Sequence, residues 1–399
     1  MSRRRRTNGT ARAERAIACV IGSMDLVRPL GLSGIPCVVV VEPGDAAVYS
    51  RFTRGAIDLA DPRRAAGVLL ERLLSWARDQ AEPPVLFYGQ DDDLLFVSRH
   101  REQLRGAFRF VIADAALVED LVDKARFGDL ARRLDLPVPS TVCVEAASVS
   151  PDDLDLRFPL VVKPAAHERG NWAVVSSGAK ALGARTAGEL RALWPGLARE
   201  GLEVLVQEMI PGPESRIESY HVYVDAAGVT VAEFTGRKIR TEPPAYGETT
   251  ALEITGERDV AELGREVTRR LGLTGVAKLD FKRDGAGALH LLEVNPRFNL
   301  WHHPGATAGV NLPALVYADL VGTPRSRLQP ARPGVRWVYH AHDARAARRQ
   351  GVPLHRWLPW AISSEAKAVV ALDDPLPAVM GGLARVGARV GLGPRGRRR

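Results

Sequence analysis

Short apolar runs alternate with stretches of helical periodicity over the first third of the chain. Ala16 to Ile21, Cys37 to Val41 and Val85 to Tyr88 are runs of strand length, closed by Gly22-Ser23, Glu42-Pro43-Gly44 and Gly89-Gln90. Such unbroken hydrophobicity is the mark of strands buried on both faces. Between them, about Asp25 to Leu32 reads as helix, and Pro62 to Ala77 sets Val68, Leu69, Leu73 and Trp76 on one helical stripe. The order β–α–β predicts a parallel sheet with right-handed crossovers. No G-x-G-x-x-G follows the first strand, so a dinucleotide site is not implied. Ligands of open parallel sheets bind beyond the carboxyl ends of the strands, which points to Gln90 and Asp91. The competing reading makes Asp91, Asp92 and Asp93 first-turn acids of a helix running toward Leu104, where the helix dipole favours them.

From Asp114 the pattern changes. A helix opens there, and Asp123-Lys124 starts another that ends before Leu136-Pro-Val-Pro-Ser140. Arg157 to Lys163 is a strand that delivers a lysine just ahead of Pro164. An ammonium so placed can pair with nucleotide phosphates as a compact point charge. Ala165 to Ala179 is a loop containing Gly170, Ser176, Ser177 and Gly178, and Lys180 follows it. Val204 to Glu214 is a strand running into a turn stiffened by Pro211 and Pro213. Glu218 to Val224 and Val229 to Phe234 form a hairpin, after which Lys238 and Arg240 share one strand face and Arg237 the other. Arg258 to Leu271 is an amphipathic helix stopped at Gly272, and Leu312 to Val321 is a packing helix.

The most informative stretch is a second hairpin, Val276 to Lys282 and Leu289 to Asn295, around Asp284-Gly285-Ala286-Gly287. Lys278, Asp280 and Lys282 share one strand face, and Leu291, Glu293 and Asn295 share another. An even number of turn residues would make those faces coincide and unite Asp280, Glu293 and Asn295. Two carboxylates and an amide oxygen are hard ligands suited to Mg²⁺ that phosphates also hold. Arg297 sets a permanent cation beside them. The alternative is a solvated acidic hairpin.

Glu293-Val-Asn-Pro-Arg297 after a strand carrying Asp280 resembles the metal signature of the ATP-grasp superfamily, on the side of its carboxylate–amine ligases. The likeness covers Asp114 to Leu320 and, more loosely, Ala16 to Ala113. It implies an α/β plus α+β chain: an ATP-grasp fold behind a Rossmann-like N-terminal domain. The corresponding divisions are 1–15 as a disordered basic tail, 16–113, 114–325 as the two-lobed ATP-grasp domain, and 326–399 as an appended segment with a basic tail. The resemblance assigns nucleotide contacts to Lys124, Lys163 and Lys180, an adenine-reading hinge to Gln207, Glu208, Met209 and Ile210, and ribose binding to Glu214. Asp280, Glu293 and Asn295 would hold Mg²⁺ or Mn²⁺. Lys238, Arg240 and Arg297 would line the phosphate and carboxylate side, and His302 would orient substrate or take a proton. The implied reaction activates a small, amino-acid-like carboxylate with ATP as an acyl phosphate and joins it to an amine. Transfer to a hydroxyl or thiol, and a non-catalytic ATP-binding module, stay open as alternatives.

Charge adds little. The chain has 399 residues and a net charge of +8, but Arg3 to Arg6, Arg395 and Arg397 to Arg399 are eight arginines at its ends. The other 47 basic residues meet 47 acidic ones, so no nucleic-acid surface is implied for the body. Cys19, Cys37 and Cys143 lack metal spacing and are expected to be buried thiols in a reducing cytoplasm. No apolar run is long enough to span a membrane. The expected partners are small-molecule carboxylate and amine substrates, and a homodimer is admitted.

Overall fold

The computed structural model describes residues 16–58, 66–165 and 171–381. The arginine-rich ends and Gly170 lie outside them. The first unit follows the β–α–β expectation: β1 (Ala18–Ile21), α1 (Met24–Leu32), β2 (Cys37–Val41), β3 (Thr53–Asp58), α2 (Ala66–Arg78) and β4 (Val85–Tyr88). The strands are parallel in the order β3-β2-β1-β4. Strand β3 escaped the sequence pattern because it lies at the sheet edge and, of Thr53 to Asp58, buries only Ile57. On α2, Leu69 and Leu73 are buried while Val68 faces solvent. Helix α3 (Asp91–Arg99) begins directly after β4, with Asp93 accepting the Gln90 N–H at 3.0 Å. The helix expected to reach Leu104 breaks at His100 and resumes as α4 (Arg101–Arg105).

Two capped helices lead into the next lobe: α5 (Ala115–Val122) behind Asp114 and α6 (Lys124–Arg133) behind Asp123. The lobe comprises β5 (Thr141–Glu145), β6 (Leu160–Pro164), α7 (Trp172–Ser176), β7 (Leu182–Ala184), α8 (Ala187–Arg199) and β8 (Glu203–Glu208). Its antiparallel sheet runs β5-β8-β6-β7. One face packs Val162, Val204 and Val206 against Trp172 and Trp194. Alternation turns Lys163, Leu205 and Gln207 to the other face. Part of the expected loop is helical: Trp172 is fully buried and its Nε1 donates to Ala179 O at 2.7 Å, which anchors α7.

The large sheet is built from β9 (Ile217–Val224), β10 (Thr230–Glu242), β11 (Glu248–Thr255), β12 (Gly275–Arg283) and β13 (Leu289–Asn295), with α9 (Arg258–Arg270) packed on it. After α10 (His302–Thr307) and α11 (Leu312–Val321), the chain adds β14 (Arg336–Val338), α12 (His340–Arg349), α13 (Leu354–Ser363) and β15 (Ala366–Lys367). The seven strands lie in the order β13-β12-β9-β10-β11-β14-β15. The segment after residue 325 thus extends this sheet. Gly236 on β10 permits the approach of Trp301, since a Cβ there would meet the indole at 2.4 Å. Cys19 and Cys37 are buried, but Cys143 is exposed, its strand β5 lying at the lobe's edge.

Candidate active site

The turn between β12 and β13 contains residues 284–288, an odd number, which by simple alternation would set Asp280 opposite Leu292. A register shift between Asp280 and Phe281 corrects this: Phe281 pairs with Leu291, but Asp280 pairs with Glu293 and Lys278 with Asn295. Leu292 is the extra residue of a bulge. Leu291 therefore goes to the core with Phe281, not to the face of Glu293 and Asn295 as strict alternation predicted. Asp280, Glu293 and Asn295 come to one side of the sheet.

Asp280 is 1% exposed and holds three partners. Ser219 Oγ donates to Oδ1 at 2.5 Å, and Oδ2 lies 2.6 Å from Lys278 Nζ and 3.3 Å from Lys238 Nζ. Burial alone would raise its carboxyl pKa, but the two ammonium groups outweigh burial and hold it well below the usual carboxylate range. Lys238 responds in the opposite sense. Burial would lower its pKa, yet Asp280, Glu293 and Glu214 raise it above the lysine norm. Lys278 Nζ is also 3.6 Å from Glu293 Oε1, so one cation bridges both carboxylates. Asn295 Nδ2 donates to Glu293 Oε1 at 3.1 Å, and its Oδ1 accepts from Arg297 Nη2 at 3.3 Å.

Glu293 and Asn295 stand where two chambers meet, with Asp280 buried behind Lys278. One, of about 540 Å³, is walled by Lys124, Lys163, Leu205 and Gln207 with α6 behind. The other, of about 880 Å³, lies between the N-terminal sheet and the large sheet and is walled by Asp25, Gln90, Lys238, Lys278, Arg297 and Trp301. Asp91, Glu293 and Asn295 line both. Lys163 donates to Gln207 Oε1 at 3.0 Å, and Gln207 donates onward to Thr141 Oγ1 at 2.9 Å. Burial lowers the Lys163 pKa, and neighbouring Lys124 adds to the effect. Arg297 ties the end of β13 to the β4–α3 junction, donating to Asp91 Oδ1 at 2.5 Å and Gly89 O at 3.1 Å. Asp91 thus combines both readings, first-turn acid and cleft residue.

The remaining candidates are placed unevenly. Lys124 reaches Pro164 O at 3.3 Å, beside Lys163. Lys180 lines the larger chamber and pairs with Glu248 at 3.2 Å. The Glu208 carboxylate is turned outward to Arg157. Glu208 and Met209 give their N–H groups to Ser140 and Pro159 carbonyls, leaving Ile210 N–H without a backbone acceptor among the described residues. Residues 208–210 and Glu214 wall neither chamber, although Glu214 comes within 3.8 Å of Lys282.

Two candidates are not brought to the cluster. A register irregularity at Lys238/Arg240 separates their environments, and Arg240 forms a two-point ion pair with buried Asp343 at 2.8 and 2.6 Å. Its guanidinium also lies 4.2 Å above the Trp360 ring. His302 is fully buried against Phe298 and His221, with neither ring nitrogen hydrogen-bonded. Burial, assisted by the charge of Arg297, pushes its pKa down to about 3, unsuited to taking a proton from an amine.

Sequence reasoning gave no role to Lys278, Ser219 or the walls from Trp337, Tyr339, Ala368 and Val369. Alternation had placed Lys278 beside Asp280, a usable signal. Nothing local in the sequence announces the return of residues 337–369 to the cleft.

The donor set fits a divalent ion: two carboxylates and one amide oxygen on one face, with a lysine ammonium already bridging the acids. Among the described residues no group of three or more His, Cys, Asp or Glu is gathered to hold a metal ion, and Asn295 is not one of those residue types. No helix among them is long and apolar enough to cross a membrane.

Comparison with known proteins agrees with this architecture. A family profile described as "ATP-grasp in the biosynthetic pathway with Ter operon" matches residues 202–342. A D-aspartate ligase of Enterococcus faecium is 25% identical over 314 residues, spanning 75% of this chain and 73% of that protein. A D-alanine–D-alanine ligase of Pseudomonas putida is 26% identical over 225 residues, 52% of this chain and 65% of the relative. In fold, the chain superposes with a TM-score of 0.60 on the biotin carboxylase domain of Hydrogenobacter thermophilus 2-oxoglutarate carboxylase, solved with MgADP, ADP and bicarbonate. That match has 16% identity and covers 80% of this chain and 72% of the other. The matched segment and the ligase relatives make this chain similar to the carboxylate–amine ligases of the ATP-grasp superfamily, and the solved structure shares its fold.

Proposed function

We propose that the protein joins an amino-acid-like carboxylate to a small amine, with the Lys124/Lys163 chamber holding ATP and the Lys238/Lys278/Arg297 chamber holding the carboxylate. The observation that carries this reading is the bridging of Asp280 and Glu293 by Lys278 at the junction of the chambers. That junction is where a γ-phosphate and an attacking carboxylate would meet.

A carboxylate oxygen attacks the γ-phosphorus, the bond from that phosphorus to the β-bridging oxygen breaks, and ADP leaves. The amine nitrogen then attacks the acyl carbon, the carbon–oxygen bond to phosphate breaks, and the nitrogen gives up a proton. Lys163 and Lys124 position the phosphates, while Lys238, Lys278 and Arg297 orient the carboxylate and offset charge in a partly desolvated site. Asp280, Glu293 and Asn295 would hold Mg²⁺, or Mn²⁺ in its place. The chemistry such an ion would supply is Lewis-acid neutralisation of the negative charge that develops during phosphoryl transfer.

The relatives' names direct the substrate choice toward amino acids, with D-aspartate and D-alanine as first candidates. The assembly is proposed to be a homodimer, which sedimentation velocity checks. The test of the activity is ADP and phosphate release with ATP, Mg²⁺ and paired amino acids. Release that needs both a carboxylate and an amine supports the ligase. Release with a hydroxyl or thiol acceptor alone, or tight ATP binding without turnover, counts against it.

A further inference from the structure

A third cavity, of about 780 Å³, opens between α1, α10 and the strip around β15. It shares no lining residue with the larger chamber: Lys367 and Val370 face this cavity, whereas Ala368 and Val369 face that chamber. Its floor carries Arg28 and His303, only 4% and 6% exposed. Arg28 Nη2 donates to Val369 O at 3.1 Å, but its Nε has no partner, and neither has His303 Nδ1. Lys367, whose Nζ donates to Ser364 O, and His340 join them, and His340 Nδ1 is also unpartnered. Buried polar atoms normally find partners, so Arg28 Nε and two imidazole nitrogens left without one in a single cavity need an explanation.

Two acids, Glu365 and Asp373, line the same cavity and Asp374 stands close by, but none of them supplies a hydrogen bond to these atoms. Asp374 stands 3.9 Å from Arg28 Nη2 and already accepts from Ser50 Oγ at 2.7 Å and Arg51 N at 3.0 Å. Asp373 pairs with Arg51 at 3.4 Å, and Glu365 accepts from Arg336 N at 3.1 Å. The mutual repulsion is visible in protonation: after burial, the charges of Arg28 and Lys367 help push the His303 pKa down to about 3. The rim has the opposite character. Leu32, Ile362, Val370 and Leu372 surround the mouth at 52, 64, 49 and 100% exposure, and Phe52 forms a wall.

We infer that this cavity binds an amphiphilic anion, a carboxylate or phosphate carried on an apolar body, with its head on Arg28, His303 and Lys367 and its body against Phe52, Ile362 and Leu372. An anionic head would accept from Arg28 Nε, from the Lys367 ammonium and from His303 in its Nδ1–H tautomer. The body would cover side chains that otherwise stand in water at a cost proportional to their area. The volume lies in the range of small-molecule sites.

Isothermal titration of the full chain, without ATP, tests this independently of the ligase reading. The probes are octanoate and octyl phosphate below their micellar concentrations, with octanol and inorganic phosphate as controls. One-to-one saturable binding of either amphiphile is expected, and which one binds identifies the head group. Octanol and inorganic phosphate should each bind about tenfold more weakly or worse, because a hydrogen-bonded charge and a buried chain each contribute at least that factor. Arg28→Gln should weaken binding by about the same factor. Leu372→Asp, at a fully exposed position that leaves the fold intact, should do so as well, by placing like charge at the mouth. No saturable binding of either amphiphile, equal binding of a control, or unchanged affinity in Leu372→Asp would overturn the assignment.

Discussion

Asp280 and Glu293 face each other across β12 and β13, and they do so only because Leu292 is bulged out of the ladder. The two acids are differently committed. Asp280 is buried between two lysines, while the Glu293 side chain is 55% exposed in the cleft. Their substitutions should separate. Glu293→Gln should lower ADP release by about 100-fold or more with an unchanged melting temperature. Asp280→Asn should cause a similar loss of activity and also cost about 3–5 kcal/mol of stability, because Lys238 and Lys278 lose their buried counterion. Activity assays paired with thermal melts check both, and wild-type turnover in Glu293→Gln would remove it from the site.

Lys163 offers a second test. It is buried, and its ammonium is fixed by Gln207 at 3.0 Å. Lys163→Met should weaken ATP binding by about tenfold or more, the cost of one charge-assisted contact. Lys163→Arg should not restore it, since a planar fork cannot replace a point charge in that space. Titration calorimetry with ATP gives the answer.

Arg240 should behave as a brace. Its loss leaves Asp343, fully buried beside Thr250 and Trp357, without a counterion. Arg240→Ala should cost about 3–5 kcal/mol in stability. Turnover per folded molecule should stay within about threefold, well short of the loss a transition-state contact brings. A large rate loss in a stably folded variant would return Arg240 to the catalytic group.

Acid should loosen the fold through its buried imidazoles. His302 and His303 have pKa values pushed down to about 3 in the folded chain, against about 6.5 when unfolded. Folding therefore favours their neutral forms. The stability they support is complete above about pH 6.5 and falls as pH drops toward 3, by about 1.4 kcal/mol per pH unit for each histidine. Melting curves between pH 7.5 and 5 should show this, with a shallower dependence in His302→Phe.

The sequence carried the fold well where hydrophobic periodicity is strong: β1, β2, β4, α9 and α11 fall close to their expected bounds. It carried the convergence of Asp280, Glu293 and Asn295 on one side of the sheet because Glu293 to Arg297 is a compact motif on one strand end. It failed at β3, an edge strand with one buried residue, since edges need little hydrophobicity. It misplaced Leu291 because a bulge leaves no mark on composition. Arg240 and His302 were illegible for a different reason. Their partners Asp343 and His221 are 103 and 81 positions away in the chain, and only the folded sheet brings them together.

The central claim is that a substrate carboxylate attacks the γ-phosphate of ATP at the junction held by Asp280, Glu293 and Lys278. With the carboxylate and amine found by the release assay, the decisive measurement is mass spectrometry of the phosphate formed from carboxyl-¹⁸O-labelled substrate. An acyl-phosphate route delivers one ¹⁸O from the carboxylate into each phosphate released. Phosphate that carries no label would show that the carboxylate never bonded to phosphorus, and the proposed ligation would be wrong.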